Sequence, residues 1–286
     1  MRSKTWATVG ALLVLSVSSA SCANERPAER RQADQAPAAG AEVRGLVLPL
    51  DVYSLTAAET TLVATATDKL VQACMSRQGL HWPQLVRTGG ESWPNRRRYG
   101  LAEPEVAAKY GYHPTPDPES DARAAQSDAR EQNLSSAQRT AAFGQDGRSG
   151  CFDQAERVLR KGVPKEPEWS WIEELGADLY NRSKRTAEVT QVDRSWSACM
   201  RRGGFGYTNP MAAGDDQRWA TQQATPAEIA VARADVDCKR RTSHTPIWWR
   251  VEVDLQRKAI KSHSIRLRAS LDNQRRYLAN ARQAAS

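Results

Sequence analysis

The amino-acid sequence predicts a mostly or all-α fold, a disulfide-stapled helical domain of two diverged halves with a long basic C-terminal helix. Three observations predict it. Helix-start signals recur along the chain, each followed by apolar residues at steps of three and four. Two ten-residue segments around Cys74 and Cys199 match without a gap. Only the short stretch 204–207 resembles a strand.

In chain order, residues 1–21 read as a signal peptide and residues 22–45 as a flexible tether. The tether is rich in Ala, Pro, Arg, Glu and Gln and nearly free of large apolar residues, so it cannot bury enough surface to fold. Leu46-Val47-Leu48-Pro49-Leu50 opens the ordered body as an extended segment packed on helices. Thr56-Ala57-Ala58-Glu59 is a capping box, and Leu62, Ala66, Leu70 and Cys74 then mark one face of a helix that stops near Gly79. Pro104 starts a short helix ended by Gly111. Residues 113–133 are polar and proline-rich at first, and read as a surface loop. Ser135-Ser136-Ala137-Gln138 is a second capping box. Cys151 opens a helix with Phe152, Ala155, Val158 and Leu159 on one side and Gly162 and Pro164 as stops. Residues 169–202 carry one long helical pattern, with Gly176 as the point where it could bend. Thr225-Pro226-Ala227-Glu228 and Thr245-Pro246 are further helix starts, the last leading nearly to the C-terminus. The halves fall at 46–167 and 168–243, and the basic C-terminal helix at 244–286.

The repeat organises the cysteines. Ala73-Cys74-Met75-Ser76-Arg77-Gln78-Gly79 and Ala198-Cys199-Met200-Arg201-Arg202-Gly203-Gly204 share A-C-M-x-R-x-G, and each is followed by an apolar residue, any residue and an aromatic. Each unit precedes one further helical cysteine, Cys151 or Cys238. Four cysteines allow three connectivities, and duplication favours Cys74–Cys151 with Cys199–Cys238. Closing loops this long is worth ~3–4 kcal/mol per bridge in the chain-entropy model. Metal binding and thiol redox catalysis are the rival uses, but no CxxC, HxxxH or HExxH spacing occurs.

The chain of 286 residues carries 41 Lys and Arg against 33 Asp and Glu, a formal charge of +8. Its mean hydropathy is −0.65. The one long apolar run, residues 6–17, is shorter than the ~18–20 residues of a spanning helix. These values exclude a polytopic membrane protein, a collagen-like chain and a wholly disordered one. Arg2 and Lys4 precede the apolar run, and Ser18-Ser19-Ala20-Ser21 and then Cys22 follow it. That is a secretory signal, and the cysteine after small residues is similar to a lipobox, whose cysteine is diacylated. Ser19 stands where the lipobox usually has leucine. The alternative is cleavage near Ala20, leaving Cys22 a plain thiol. Five cysteines are an odd number for a secreted protein, and lipidation of Cys22 leaves four to pair.

Further elements are Leu48-Pro49-Leu50-Asp51, Asn95-Arg96-Arg97-Arg98-Tyr99-Gly100-Leu101 and Lys109-Tyr110-Gly111-Tyr112-His113. Gly150-Cys151 ahead of Ala155-Glu156, Cys199-Met200, and Asp235 ahead of Cys238-Lys239 complete them. With the lipobox-like Cys22, the chain resembles a family of secreted lipoproteins of high-GC actinobacteria over most of residues 46–242. The resemblance implies an envelope address and the same cysteine pairing, and it brings no activity.

None of His81, His113, His244 and His263 has a partner at a recognisable catalytic spacing. GxSxG, SxxK, P-loop and Rossmann glycine patterns are missing. The adjacent carboxylates Glu173/Glu174 and Asp215/Asp216 diverge on a helix and read as solvated surface. No catalytic residue, cofactor or metal is therefore assigned. The leading expectation is a non-enzymatic, lipid-anchored protein on the outer face of the cytoplasmic membrane. It binds a ligand or assists a membrane partner such as an exporter, a sensor or an immunity system. The alternatives are a cell-wall-modifying enzyme with a site assembled from scattered residues, and a purely structural envelope protein.

Two basic segments are candidate anion sites. Arg96, Arg97 and Arg98 lie in a loop beside Trp93, and either grip an anionic ligand or bridge acids such as Glu103 and Glu105. Residues 247–286 hold nine bases and three acids, a net +6, which equals the charge left after residues 1–21 are removed. Arg257, Lys258, Lys261, Arg266 and Arg268 belong to it. Trp249, Val253, Ile260, Leu267, Leu271 and Leu278 form a stripe at helical spacing. That stripe either closes the core or lies on anionic lipid or wall polymer. Nucleic acid is disfavoured as a partner, because the signal exports the chain.

Overall fold

The computed structural model describes residues 38–87, 93–145, 147–164 and 169–286. These form twelve α-helices and two single 3₁₀ turns, with no strand among the described residues. The α-helices are α1 (Ala41–Arg44), α2 (Ala57–Ser76), α3 (Pro104–Tyr110), α4 (Pro118–Gln132), α5 (Ser136–Phe143), α6 (Cys151–Leu159), α7 (Trp169–Lys184), α8 (Ala187–Arg202), α9 (Pro210–Gly214), α10 (Pro226–Thr242), α11 (His244–Ser262) and α12 (Ser264–Ala285).

The two matched segments fold alike. In α2 the N-cap Thr56 and Glu59 exchange hydrogen bonds through their side chains. Where α2 ends, Gly79 takes a left-handed conformation (φ +70°) and the Leu80 amide donates to the Met75 carbonyl at 3.0 Å. Where α8 ends, Gly204 does the same (φ +87°) and the Phe205 amide donates to the Met200 carbonyl at 3.0 Å. This six-to-one bond is the Schellman exit. It explains why Met and Gly recur four residues apart: the first is buried under the turn and the second supplies the positive φ. The stretch 204–207 is therefore the helix exit and not a strand. Its Tyr207 carbonyl is held by the Ser197 hydroxyl at 2.6 Å.

Each exit sits beside a disulfide. Cys74 bonds Cys151 and ties α2 to α6; Cys199 bonds Cys238 and ties α8 to α10. The first pair packs around Val71, Met75, Trp82, Ala142 and Ala155, and the second around Trp196, Met200, Ala213, Trp219 and Val231. The chain segments interleave: Leu101, Val106 and Ala107 pack on Ala232 and Val236 of α10.

The basic C-terminal segment is two helices rather than one, broken at His263 (φ −111°, ψ 23°). The break lets each part serve a different disulfide pair. Helix α11 packs on α7 and α8, whereas α12 packs on α2 and α6. Val253, Leu267 and Leu278 are buried, and Trp249, Ile260 and Leu271 are half-buried. The apolar stripe closes the core, as the first of the two sequence readings has it.

Three local expectations are corrected. Residues 38–45 are not tether: Ala39 and Val43 are buried against Ala102, and the Gly40 amide donates to Glu103 Oε1 at 2.8 Å. The rest of the tether, the signal segment and Cys22 lie outside the described residues. Residues 118–132 are helix α4, started by Pro118 and capped by Asp117 on the Ser120 amide. The long pattern 169–202 breaks at Thr186, which caps α8, while Gly176 stays inside α7.

Candidate functional site

The three loop arginines turn inward. Arg96 pairs with Glu103 through Nε to Oε2 at 2.7 Å and Nη2 to Oε1 at 3.0 Å. Arg97 donates to the His113 carbonyl at 3.1 Å, and burial holds its guanidinium below the usual arginine range. Arg98 grips Glu252 of α11, its Nε lying 2.9 and 3.0 Å from the two carboxylate oxygens, and its guanidinium stacks over Tyr180. Tyr99 donates to Glu252 Oε2 and Gln256 to Oε1, both at 2.9 Å, while the Leu50 amide donates to Gln256 Oε1. Burial pushes the Tyr99 phenol well above its ordinary range. The bridging reading thus describes Arg96, with Glu103 and not Glu105 as its partner. Arg98 finds an acid 154 residues away, which no local spacing announces.

A second buried network lies on α10. Asp235 and Lys239 form an ion pair at 3.0 Å with almost no exposure on either side. Trp196 and Tyr112 also donate to Asp235, at 2.9 and 3.2 Å, and Lys239 donates to the Leu101 carbonyl at 2.8 Å. Burial draws Asp235 upward and Lys239 downward. Every polar neighbour of Asp235 is a donor, which favours the charged pair. Gly100 (φ +79°) is required here, since a Cβ would stand 2.8 Å from Lys239 Nζ.

Glu228, fully buried, accepts from the Tyr112 amide at 2.7 Å and from His113 Nδ1 at 2.8 Å. His113 Nε2 faces the Thr221 carbonyl at 2.8 Å. With acceptors at both nitrogens, the imidazolium is the form that satisfies both. The Thr221 carbonyl and then Glu228 raise its pKa above the ordinary histidine value. A raised pKa makes the contribution complete below the unfolded value of about 6.5 and lost as pH rises through the folded value. The urea midpoint of the protein is therefore expected to fall with rising pH above that unfolded value, and His113→Gln to flatten the fall. An unchanged slope in the variant would exclude His113 as its source.

His244 pairs with Asp193 at 2.8 Å but is fully buried, so no substrate reaches it. His81 and His263 are exposed, the latter edge-on to Trp171. Among the described residues, no group of three or more His, Cys, Asp or Glu is gathered for a metal, and no helix is long and apolar enough to cross a membrane.

What remains accessible is the corner between α11 and α12. Arg257, Lys258, Lys261, Arg266 and Arg268 are all exposed, and residues 255–271 contain no acid. Arg257 reaches back to Asp254 at 3.8 Å, and Arg266 stacks 3.8 Å over Trp171. The side chains of Lys258, Lys261 and Arg268 make no hydrogen bond or ion pair among the described residues. Ile265, 88% exposed, stands among them.

A separate cleft of about 450 Å³ opens where α10 meets α11. Leu46, Ala102, Pro246 and Trp249 supply apolar wall, and Arg240 and Thr245 are polar members of the lining. The cleft and the long-range partners of Glu252, Glu228 and Asp235 have no signature in the sequence. Only the Asp235–Lys239 spacing of four residues on one helix is legible there. No family model, curated protein or solved structure matches the chain.

Proposed function

We propose that the protein is a non-enzymatic, lipid-anchored component of the bacterial cell envelope. Cys22 carries the lipid at the outer face of the cytoplasmic membrane, and the α11–α12 corner docks on an anionic lipid or wall-polymer surface beside a membrane partner. The carrying observation is the acid-free stretch 255–271: the side chains of Lys258, Lys261 and Arg268 are exposed and committed to no internal carboxylate, unlike Arg96 and Arg98. A diacyl anchor supplies two chains, enough for stable attachment, and the corner adds an orienting contact. The buried stripe fixes what the corner offers, a basic face with one projecting isoleucine rather than an inserting apolar helix.

Vesicle sedimentation of residues 22–286 without lipid tests the docking. Binding to phosphatidylglycerol vesicles, and not to neutral ones, is expected, with a steep fall as salt rises. At ~1 kcal/mol per base near the surface, neutralising Lys258, Lys261 and Arg268 together by Gln should weaken binding about a hundredfold. Deleting the helices is no substitute, because their stripe is core. Equal binding by the folded triple variant would end the docking proposal. Release of Cys22→Ala into the medium tests the anchor separately; retention with normal processing would overturn it.

A further inference from the structure

The cleft between α10 and α11 has the composition of a small-molecule site, and its volume lies inside the ~300–1,000 Å³ typical of such sites. We infer that it binds a single-tailed anionic amphiphile, the tail along Leu46, Ala102, Pro246 and Trp249 and the headgroup at the start of α11.

Three independent features place the anion there. Helix α11 is long, 19 residues, and its N-cap Ser243 (φ 52°), the single residue between it and α10, makes no side-chain cap to the amides of the first turn. Thr245, only 8% exposed, lines the cleft, and its hydroxyl has no hydrogen-bond partner among the described residues. A buried hydroxyl left unpaired costs free energy that a bound acceptor would remove. Arg240 adds an exposed cation on the lining. Lys239 also lines the cleft, but its ammonium group is committed to Asp235 and the Leu101 carbonyl, so only its stem serves the wall. Trp249 is fixed as a wall by donating from Nε1 to the Val47 carbonyl at 3.0 Å. Glu42, contributed by α1, also stands on the lining and opposes negative charge there, twice as strongly for a dianion as for a monoanion. Gly45 also lines the cleft, and a Cβ built on it meets nothing within 4 Å.

The test uses residues 22–286 with bromine-tagged dodecanoate below its micellar concentration, reading tryptophan quenching, with untagged dodecanoate, dodecyl phosphate, dodecanol and dodecyltrimethylammonium as competitors. The tagged acid should quench one component, and Trp249→Phe should remove that component. Arg240→Gln, at an exposed position, and Thr245→Val should each weaken binding about tenfold, the loss expected for one hydrogen bond to a charged group. Gly45→Phe should block binding without lowering the melting temperature. Untagged dodecanoate competing better than the phosphate supports a singly charged headgroup, and the reverse would overturn the discrimination assigned to Glu42. Dodecanol competing as well as the anions would refute the headgroup assignment. Quenching that survives Trp249→Phe or Gly45→Phe would move the ligand elsewhere, and no quenching at all would remove the site.

Discussion

Glu252→Ala is expected to destabilise the protein by about 3 kcal/mol, the lower end of the cost of breaking a buried ion pair, because Arg98 keeps some access to water. Glu252 is completely buried, and the side chain of Arg98 is 26% exposed. The carboxylate holds Arg98, Tyr99 and Gln256 at once, and through Gln256 it reaches the Leu50 amide. Removing it strands a guanidinium and a phenol in the joint between the 95–113 segment and α11. Glu252→Gln keeps the volume and one acceptor for Tyr99 but loses the charge, so its loss should be intermediate. Replacing Arg98 and Glu252 together by methionine should recover part of the single-variant loss, since no unpaired charge is left. Urea denaturation followed by far-ultraviolet circular dichroism reads all four proteins. A shift for Glu252→Ala below ~1 kcal/mol, the range of exposed pairs, would mean that Arg98 is adequately solvated without its partner.

The parts legible in the sequence are those set by neighbours in the chain. Thr56, Ser135 and Thr225 announce their helices because a cap and the amide it holds are three residues apart. The Met–Gly spacing announces both Schellman exits for the same reason. Helix α4 escaped because it carries no apolar stripe. It is anchored by Arg130, which reaches Asp68 at 2.9 Å and lies over Trp82, a charge contact across 62 residues. The break at His263 escaped because the stripe continues on both sides of it, facing different helices. Glu228 reads as a capping-box residue, and the Thr225 hydroxyl does accept from its amide. Its carboxylate is diverted to Tyr112 and His113, where Gly111 (φ +56°) lets the chain approach so closely that a Cβ would lie 2.5 Å from Glu228 Oε1. Long-range carboxylate partners of this kind have no local signature. The same holds for the candidate anion cleft, whose lining comes from residues 42–46, 102 and 239–249.

Removing either disulfide as a Cys→Ala pair is expected to cost about 4 kcal/mol, since each closes a long loop of the unfolded chain. The separations are 77 residues for Cys74–Cys151 and 39 for Cys199–Cys238. Loop-closure entropy grows by ~0.6 kcal/mol per doubling, so the first bridge should matter slightly more. Packing alters that order. The α2–α6 pair is also clamped by α12, with Tyr277 and Ala281 packed on Ala66 and Leu159, whereas the α8–α10 pair encloses the Asp235–Lys239 ion pair beside Trp196. Loosening the second pair admits water to two buried charges, an added cost that the entropy model omits. The expected outcome is therefore a larger loss for Cys199→Ala/Cys238→Ala than for Cys74→Ala/Cys151→Ala, despite its shorter loop. Urea midpoints of the two double variants measure it directly. A larger loss for the 77-residue loop would show chain entropy alone setting the order, and would leave the buried ion pair without a part in it.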